Sequence, residues 1–291
     1  MKQKQKKFIF ILATAILTIT FAILVSIQQD GSSPALALSP APQSLKRVAD
    51  FYFDVGADDV RNYGHVNKFG NNVDVDQAEE DIWDGGGVWD EPTASQVYTF
   101  TSTSGDDASP DGTGARTIEI FGLDSDGLLA SETLALTGTG EVTATNQYSM
   151  MHRLIVRTAG SGGENAGTIT ANANTDGTVT AQITIGNNQT LMAIYKISAI
   201  DNGCLIGFYV GMNRASPNNG LVDIFLKVKP PGEVWQVKQV NGLMSTGTTA
   251  FQHIYNPPKC FDPLTIIKMS AIGQTDSNDI SAGFDLVLHP N

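Results

Sequence analysis

The side chains that could do chemistry are few and widely separated in the sequence. The four histidines, His65, His152, His253 and His289, show neither the HxxxH nor the HExxH spacing of a zinc site. The chain contains no GxSxG nucleophile elbow and no GxxxxGKS or GxxxxGKT phosphate loop. The sequence therefore predicts a protein that is not an enzyme and that uses no cofactor.

The two cysteines, Cys204 and Cys260, are too few for a disulfide scaffold and do not form a CxxC pair. Two states are open to them, a single disulfide between them or a pair of buried thiols. Nothing in their spacing selects one of these states.

One polar loop, residues 104–114, has three acids that could hold a cation, Asp106, Asp107 and Asp111. Hard cations bind clustered carboxylate oxygens, although loop acids occur in any acidic protein. The three residues are therefore weak cation candidates, and no metal site is predicted.

A second acidic stretch, residues 50–95, has twelve acids and two bases between positions 50 and 91. Aromatic residues are interspersed with the acids, which is unlike simple disorder. We expect an irregular connector that docks its aromatics on the body or on a partner. Calcium binding and a solvated acidic connector are the alternatives.

The amino-terminal segment looks like a membrane anchor. Four lysines in the basic flank, residues 1–7, precede an uncharged stretch long enough to cross a bilayer, and residues 8–27 are predicted to be a transmembrane helix. A cleaved secretory signal is the alternative, although its apolar region is normally shorter. A Pro-, Ser- and Ala-rich spacer follows at 28–49. The apolar anchor residues are Phe8, Ile9, Phe10, Ile11, Leu12, Ile16, Leu17, Ile19, Phe21, Ile23, Leu24 and Val25.

The rest of the chain shows short apolar runs separated by turn residues, which predicts an all-β body. In the run LVDIFLKVK, Val222, Ile224 and Leu226 alternate with more polar residues, as in a half-buried antiparallel strand. We expect two tandem antiparallel β-sandwich domains of jelly-roll-like type, at 96–188 and 189–291. The predicted strands lie at 97–102, 115–122, 128–136, 148–158, 167–172, 178–185, 191–198, 204–212, 221–229, 234–240, 249–255, 265–273 and 280–288.

The net charge of the chain indicates which partners it can bind. The formal net charge is −12, and four of the eighteen basic residues lie in the first seven positions, so the remainder carries about −16. A strongly acidic body repels phosphate backbones, so direct nucleic-acid binding is not expected.

Three stretches together resemble a group of uncharacterised virion-associated β proteins of marine bacteriophages and related viruses. They are ARTIEIFGLDSDGLLASETLALTGTGEVTATNQY, RLIVRTAGSGGENAGTITA and SAGFDLVL, and the resemblance covers about residues 96–288. It implies a structural part of a virus particle, such as a minor capsid, cement, spike or fibre component. The anchor and the acidic connector are not part of that pattern, which favours a particle with a lipid layer or a host protein that borrowed the β module.

Three functional hypotheses follow. The first is a membrane-anchored virion protein that links a lipid layer to the capsid shell, with other capsid or assembly proteins as partners and as a homo-oligomer. The second is a single-pass cell-surface adhesion or carbohydrate-binding module, in which Trp235 and Tyr209 could stack on sugar rings. The third is a surface hydrolase with an acid pair in the connector or loops.

Overall fold

A computed structural model describes residues 50–214 and 220–291 of the chain. The predicted basic flank, transmembrane helix and spacer lie outside the described residues. Within the described ranges, no helix is both long and apolar enough to cross a membrane. The one helix of these ranges, α1, is short and spans Phe51–Gly56.

The body is built from β-strands, so the all-β prediction is confirmed. Each of the thirteen predicted strands overlaps an observed one, whereas β1, β2 and β6 were not predicted. The strands of the described residues are β1 Gly64–Val75, β2 Glu80–Asp81, β3 Tyr98–Ser102, β4 Ala115–Leu123, β5 Leu129–Ala135, β6 Val142–Thr143, β7 Met150–Ala159, β8 Ile169–Ala173, β9 Thr178–Ile183, β10 Ile194–Lys196, β11 Asp201–Arg214, β12 Leu221–Lys229, β13 Gln236–Met244, β14 Ala250–Phe261, β15 Ile266–Gly273 and β16 Asn278–Pro290.

Eight strands form a sandwich with jelly-roll topology. One sheet has the order β1-β16-β11-β14, and the other has the order β10-β15-β12-β13 with β2 added beside β15. The eight strands can be counted 1 to 8 in chain order, from β1 and β10 to β16. One sheet then has the order 1-8-3-6, and the other has the order 2-7-4-5. This interleaving of two Greek keys defines a jelly roll. We call this unit the jelly-roll sandwich.

Alternating side chains build the core of the jelly-roll sandwich. In β12, Val222, Ile224, Leu226 and Val228 are buried while the residues between them are more exposed, as the sequence predicted. They pack against Phe208 and other apolar side chains of the facing sheet. Burying an aliphatic or aromatic side chain of this size contributes roughly 1.5–3 kcal/mol.

A second, seven-stranded sandwich is inserted between β1 and β10. Its sheets have the orders β6-β3-β8-β9 and β5-β4-β7, and it has a separate core that includes Tyr98, Phe100 and Tyr148. We call it the inserted sandwich. The predicted tandem arrangement is therefore wrong in one respect, because the first strand of the jelly roll precedes the inserted sandwich in the chain.

The acidic connector is also more regular than predicted. Residues 64–75 form the long strand β1, which pairs antiparallel with β16 from Gly64↔Leu288 to Val75↔Asn278. The sequence GHVNKFGNNVDV is rich in Asn and Gly, which are depleted in strands, so local propensity argued against it. Pairing with β16, which lies 200 residues further on, overrides that propensity.

Candidate functional site

The three weak cation candidates do not form a cation site. Asp107 is fully buried, and its carboxylate accepts four hydrogen bonds from protein donors, which leaves no oxygen lone pairs directed at an ion. Asp106 and Asp111 are exposed, and no cluster of three potential ligands within the described ranges includes either of them. The four donors to Asp107 are Ser102 Oγ at 2.6 Å and the backbone N–H groups of Ala115 at 2.7 Å, Ala166 at 2.8 Å and Gly167 at 2.9 Å. Asp107 therefore holds its loop against two strands.

Cys204 and Cys260 are joined by a disulfide in the structure. They lie directly opposite each other on the neighbouring strands β11 and β14. The ring of His289 approaches both sulfurs, with the potential ligand atoms within 4.8 Å of one another. Because zinc binds thiolates rather than disulfide sulfurs, this trio is not a metal site in the oxidised protein.

Three of the twelve acids of the connector form ion pairs with lysines of the jelly-roll sandwich. Lys229 Nζ lies 2.6 Å from Glu91, and Lys227 pairs with Glu79. Burial acts to raise the pKa of Glu79, but hydrogen bonds from Lys227 and Ser270 outweigh it and lower that pKa. The connector is thus matched in charge to the outer face of β12 and β15, rather than simply solvated.

The third of these ion pairs is buried. Asp81 and Lys268 are 2.8 Å apart, and their side chains are only 1% and 8% exposed. Burial raises the pKa of Asp81, and the Lys268 ammonium opposes that rise. Lys268 Nζ also lies 4.5 Å from the centre of the Trp235 ring, a cation–π contact. Removing one partner of such a pair leaves an uncompensated buried charge, so the pair fixes the connector in place.

Two tryptophans of the connector lie between the sandwiches. Trp83 and Trp89 are buried in one cluster with Leu123 and Met150 of the inserted sandwich and Ile194 of the jelly roll. The indole N–H of Trp89 donates to the carbonyl of Thr180 at 2.9 Å. These two connector aromatics therefore dock on the body, one of the two placements that we expected.

The aromatics considered for sugar stacking are partly covered. Trp235 lies over Lys268 and packs against the cluster around Trp83. Tyr209 lies opposite Gly283, where an added Cβ would be 2.3 Å from the tyrosine hydroxyl, so its ring fills the space above that glycine. Neither ring is held out as a free stacking platform.

The first candidate surface is the side of the jelly-roll sandwich that β13 and β14 form. β13 and β14 are the outermost strands of their respective sheets and are consecutive in the chain, so the two sheet edges lie side by side. Between Glu233 and Asp262 the sequence contains no acid. We call residues 234–261 the acid-free edge. Its exposed aliphatic side chains are Val234 at 76%, Val237 at 51%, Val240 at 49%, Met244 at 45% and Ile254 at 66% of full exposure.

The second candidate is a cavity of about 390 Å³ where the two sandwiches meet. Strands β1 and β16 line one side, and β4, β5 and β7 of the inserted sandwich line the other. We call it the junction cleft. Its polar lining residues include His65, Lys68, His152 and Arg153. Apolar side chains form most of its wall, namely Val66, Phe121, Leu129, Ile155 and Leu288.

The basic groups of the junction cleft are held by the backbone and by one another. Lys68 Nζ donates to the carbonyl of His152, and the Arg153 guanidinium donates to the carbonyl of Asn67 at 2.9 Å. The His152 ring stacks on Tyr195, with ring centres 4.3 Å apart. Burial lowers the pKa of Lys68 well below its usual value, and the nearby Arg153 lowers it further. Burial also lowers the pKa of His152, and the Lys68 charge adds to that shift.

Sequence reasoning did not find the junction cleft. The sequence places Lys68 in the acidic connector, for which it predicts no strand, and His152 in the predicted strand 148–158. The two residues are 84 positions apart, and they meet only because the inserted sandwich folds back against β1. The acid-free edge was not predicted either, although its signal, a 28-residue interval without Asp or Glu, is present in the sequence.

Comparisons with known proteins identify no relative. No family model and no curated protein matches the chain. A solved structure of carbohydrate-binding modules from the β-sandwich superfamily is similar at 11% identity, covering 72% of this chain and 96% of that chain, with a TM-score of 0.18.

Two solved structures of infectious bursal disease virus are also similar. The VP2 subviral particle matches at 9% identity over 78% of this chain and 72% of that chain, with a TM-score of 0.20. The Gt strain matches at 9% identity over 78% and 75%, with a TM-score of 0.17. TM-scores this low carry no argument about fold or function.

Proposed function

We propose that this protein is a structural component of a virus particle and assembles through the acid-free edge of its jelly-roll sandwich. Jelly rolls occur in viral capsid proteins and also in lectins and cupins, so the topology is compatible with this function but does not establish it. The resemblance of residues 96–288 to virion-associated β proteins gives independent support.

The observation that carries the proposal is the chemistry of the acid-free edge. An exposed sheet edge presents unpaired backbone donors and acceptors and is a template for association. Here the edge also exposes a row of aliphatic side chains, among them Val240 and Ile254. In a protein of net charge −12, an interval that has Lys238 and Lys259 but no acid is complementary to the acidic remainder of a second copy.

The opposite edges of the two sheets are not open in the same way for association between copies. The edge strands there are β1 and β10, which pack near the inserted sandwich at the junction cleft. Repeated association of copies therefore uses the β13 and β14 side. The membrane segment predicted at residues 8–27 would tie such an assembly to a lipid layer, which makes the protein a minor capsid, cement or spike component.

Substitution of Ile254 tests the assembly surface. We expect Ile254→Glu to weaken self-association at least tenfold, because it places a carboxylate in an apolar, acid-free contact. Sedimentation velocity of the purified full chain over a concentration series measures the effect. Ile185→Glu, at a side chain of similar exposure (58% against 66%) in the inserted sandwich, is the control and should associate like the unaltered chain.

Two outcomes would overturn the proposal. A chain that stays monomeric at all concentrations, or an Ile254→Glu variant that associates as strongly as the unaltered chain, excludes assembly through this edge. A mass-spectrometric inventory of purified particles, set against host membranes, tests the virion assignment separately. Absence of the protein from the particles contradicts that assignment. If the protein is present, its retention in the detergent-insoluble shell indicates attachment to the shell, and its release with lipid indicates attachment to the lipid layer.

A further inference from the structure

The junction cleft differs in charge from the rest of this protein. The chain has 30 acidic and 18 basic residues, yet no Asp or Glu of the described ranges lines the cleft, while Lys68, Arg153, His65 and His152 all do. The neighbouring Asp285 is already engaged, since it accepts a hydrogen bond from Asn67 at 2.7 Å and lies 3.5 Å from the His65 ring.

One cleft atom lacks a partner in the folded chain. His152 is only 5% exposed, and within the described ranges its Nε2 has no hydrogen-bond partner. The backbone of Lys196 lies near the ring and acts to raise the pKa of His152 against the effect of burial. A buried polar atom without a partner loses its hydration and gains no hydrogen bond in return, so most buried polar atoms in proteins have a partner. His152 lines the cleft, and its Nε2 lies beneath the cleft surface with almost no accessible area of its own.

Two basic side chains of the cleft have N–H donors to spare. The structure gives Lys68 Nζ a hydrogen bond to the His152 carbonyl, whereas an ammonium carries three N–H donors. The guanidinium of Arg153 gives one N–H to Asn67 and lies over the Phe69 ring at 5.2 Å, and a guanidinium has five donors. Fixed donors of this type are suited to a carboxylate.

We propose that the junction cleft binds a small organic carboxylate whose body presents an apolar face. Arg153 and Lys68 donate hydrogen bonds to the two oxygens of the carboxylate. Phe121, Leu129 and Ile155 cover the apolar face. A cavity of about 390 Å³ lies within the range of small-molecule sites.

Two sources share this chemistry, a fatty acid and a sugar acid. A fatty acid offers a methylene chain to the aliphatic wall, and a uronic acid offers the C–H face of its ring together with hydroxyl donors. Octanoate and glucuronate are therefore the two probes. Octan-1-ol and glucose are their uncharged counterparts.

Isothermal titration of the full-length protein with these four compounds tests the proposal. We expect at least one of the two anions to bind, and its uncharged counterpart to bind at least tenfold more weakly. Protein-observed chemical shifts of the His152 ring should change with the binding anion. If neither anion binds, or if the counterpart binds equally well, the proposal is wrong.

Substitutions locate the binding. Arg153→Gln should weaken binding of the anion at least tenfold, and Lys68→Met, which keeps the length of the side chain without its charge, should do the same. Arg116→Gln is the matched control, because Arg116 also donates one hydrogen bond to a backbone carbonyl, that of Gly112 at 3.0 Å, but lies outside the cleft.

Thermal unfolding of each variant separates loss of binding from loss of fold. Folded Arg153→Gln and Lys68→Met variants that bind the anion as tightly as the unaltered chain would overturn the proposal. Equal weakening by Arg116→Gln would show binding outside the cleft and would also overturn it. Because these measurements do not depend on self-association, they leave the assembly proposal untouched.

Discussion

At the scale of single residues, Asp84 shows how the fold changes an ordinary acid. It lies between the two connector tryptophans, and its carboxylate accepts hydrogen bonds from the backbone N–H and hydroxyl of Thr184 at 3.2 and 3.3 Å. Burial raises the pKa of Asp84 to about 7, and the bonds from Thr184 only partly oppose this rise. The folded protein therefore holds a proton here that the unfolded chain releases near pH 4.

This proton makes stability depend on pH. Between about pH 4 and pH 7 the folded state binds one more proton at Asp84 than the unfolded state does, so the free energy of unfolding falls as the pH rises. We expect Asp84→Asn to remove this part of the pH dependence and to be more stable than the unaltered chain at pH 8, by an amount on the order of 3 kcal/mol.

Urea unfolding at a series of pH values measures that effect. Asp126→Asn, at an exposed position in the β4–β5 turn, is the control and should keep the pH profile of the unaltered chain. Parallel profiles for Asp84→Asn and the unaltered chain would show that Asp84 is ionised in the folded state throughout.

At the scale of elements, the strand β1 is the feature that local sequence least supports. Its Gly70 lies where an added Cβ would be 2.3 Å from the carbonyl oxygen of Ile82 and 2.5 Å from the backbone nitrogen of Ala193. Ala193 N–H donates to that same carbonyl at 2.9 Å. Three chain segments thus meet at one position that has no room for a side chain.

We accordingly expect Gly70→Ala to destabilise the protein by about 1–3 kcal/mol, because the methyl group meets backbone that cannot move aside cheaply. Gly211→Ala is the matched control on β11, since nothing lies within 4 Å of an added Cβ there. Chemical denaturation of both variants measures the difference. Equal stability of the two variants would mean that β1 and the connector are not packed as the structure has them.

At the scale of the whole molecule, the connector joins two sandwiches that have separate cores. The shared cluster around Trp83 and Trp89 is one apolar contact between them, beside the junction cleft, and the buried Asp81–Lys268 pair holds the connector on the jelly roll. A small shared contact of this kind decides whether the two sandwiches unfold together or separately.

Truncation of one tryptophan tests this coupling. We expect Trp89→Ala to cost about 3–5 kcal/mol and to separate a single calorimetric transition into two, because it removes a buried side chain that contacts both sandwiches. Val88→Ala, at a neighbouring side chain that is 62% exposed, should unfold like the unaltered chain. One sharp, unshifted transition for Trp89→Ala would show that the coupling lies elsewhere.

The sequence by itself determined the all-β class and the approximate positions of thirteen of the sixteen strands of the described residues. Alternation of apolar and polar residues is a local property, and in β12 it specifies which side chains face the core before any partner strand is known. The acid-free edge is also local, because it is an interval of one composition. These features could be predicted because neighbouring residues encode them.

Only the tertiary structure decided which strands belong together. β1 is poor in strand-forming residues and is stabilised by β16, and the jelly roll is complete only when this distant pair forms. The junction cleft likewise forms only when Lys68 of β1 in the jelly roll contacts His152 of β7 in the inserted sandwich. Contacts between residues so far apart in sequence depend on the whole topology, which no local pattern records.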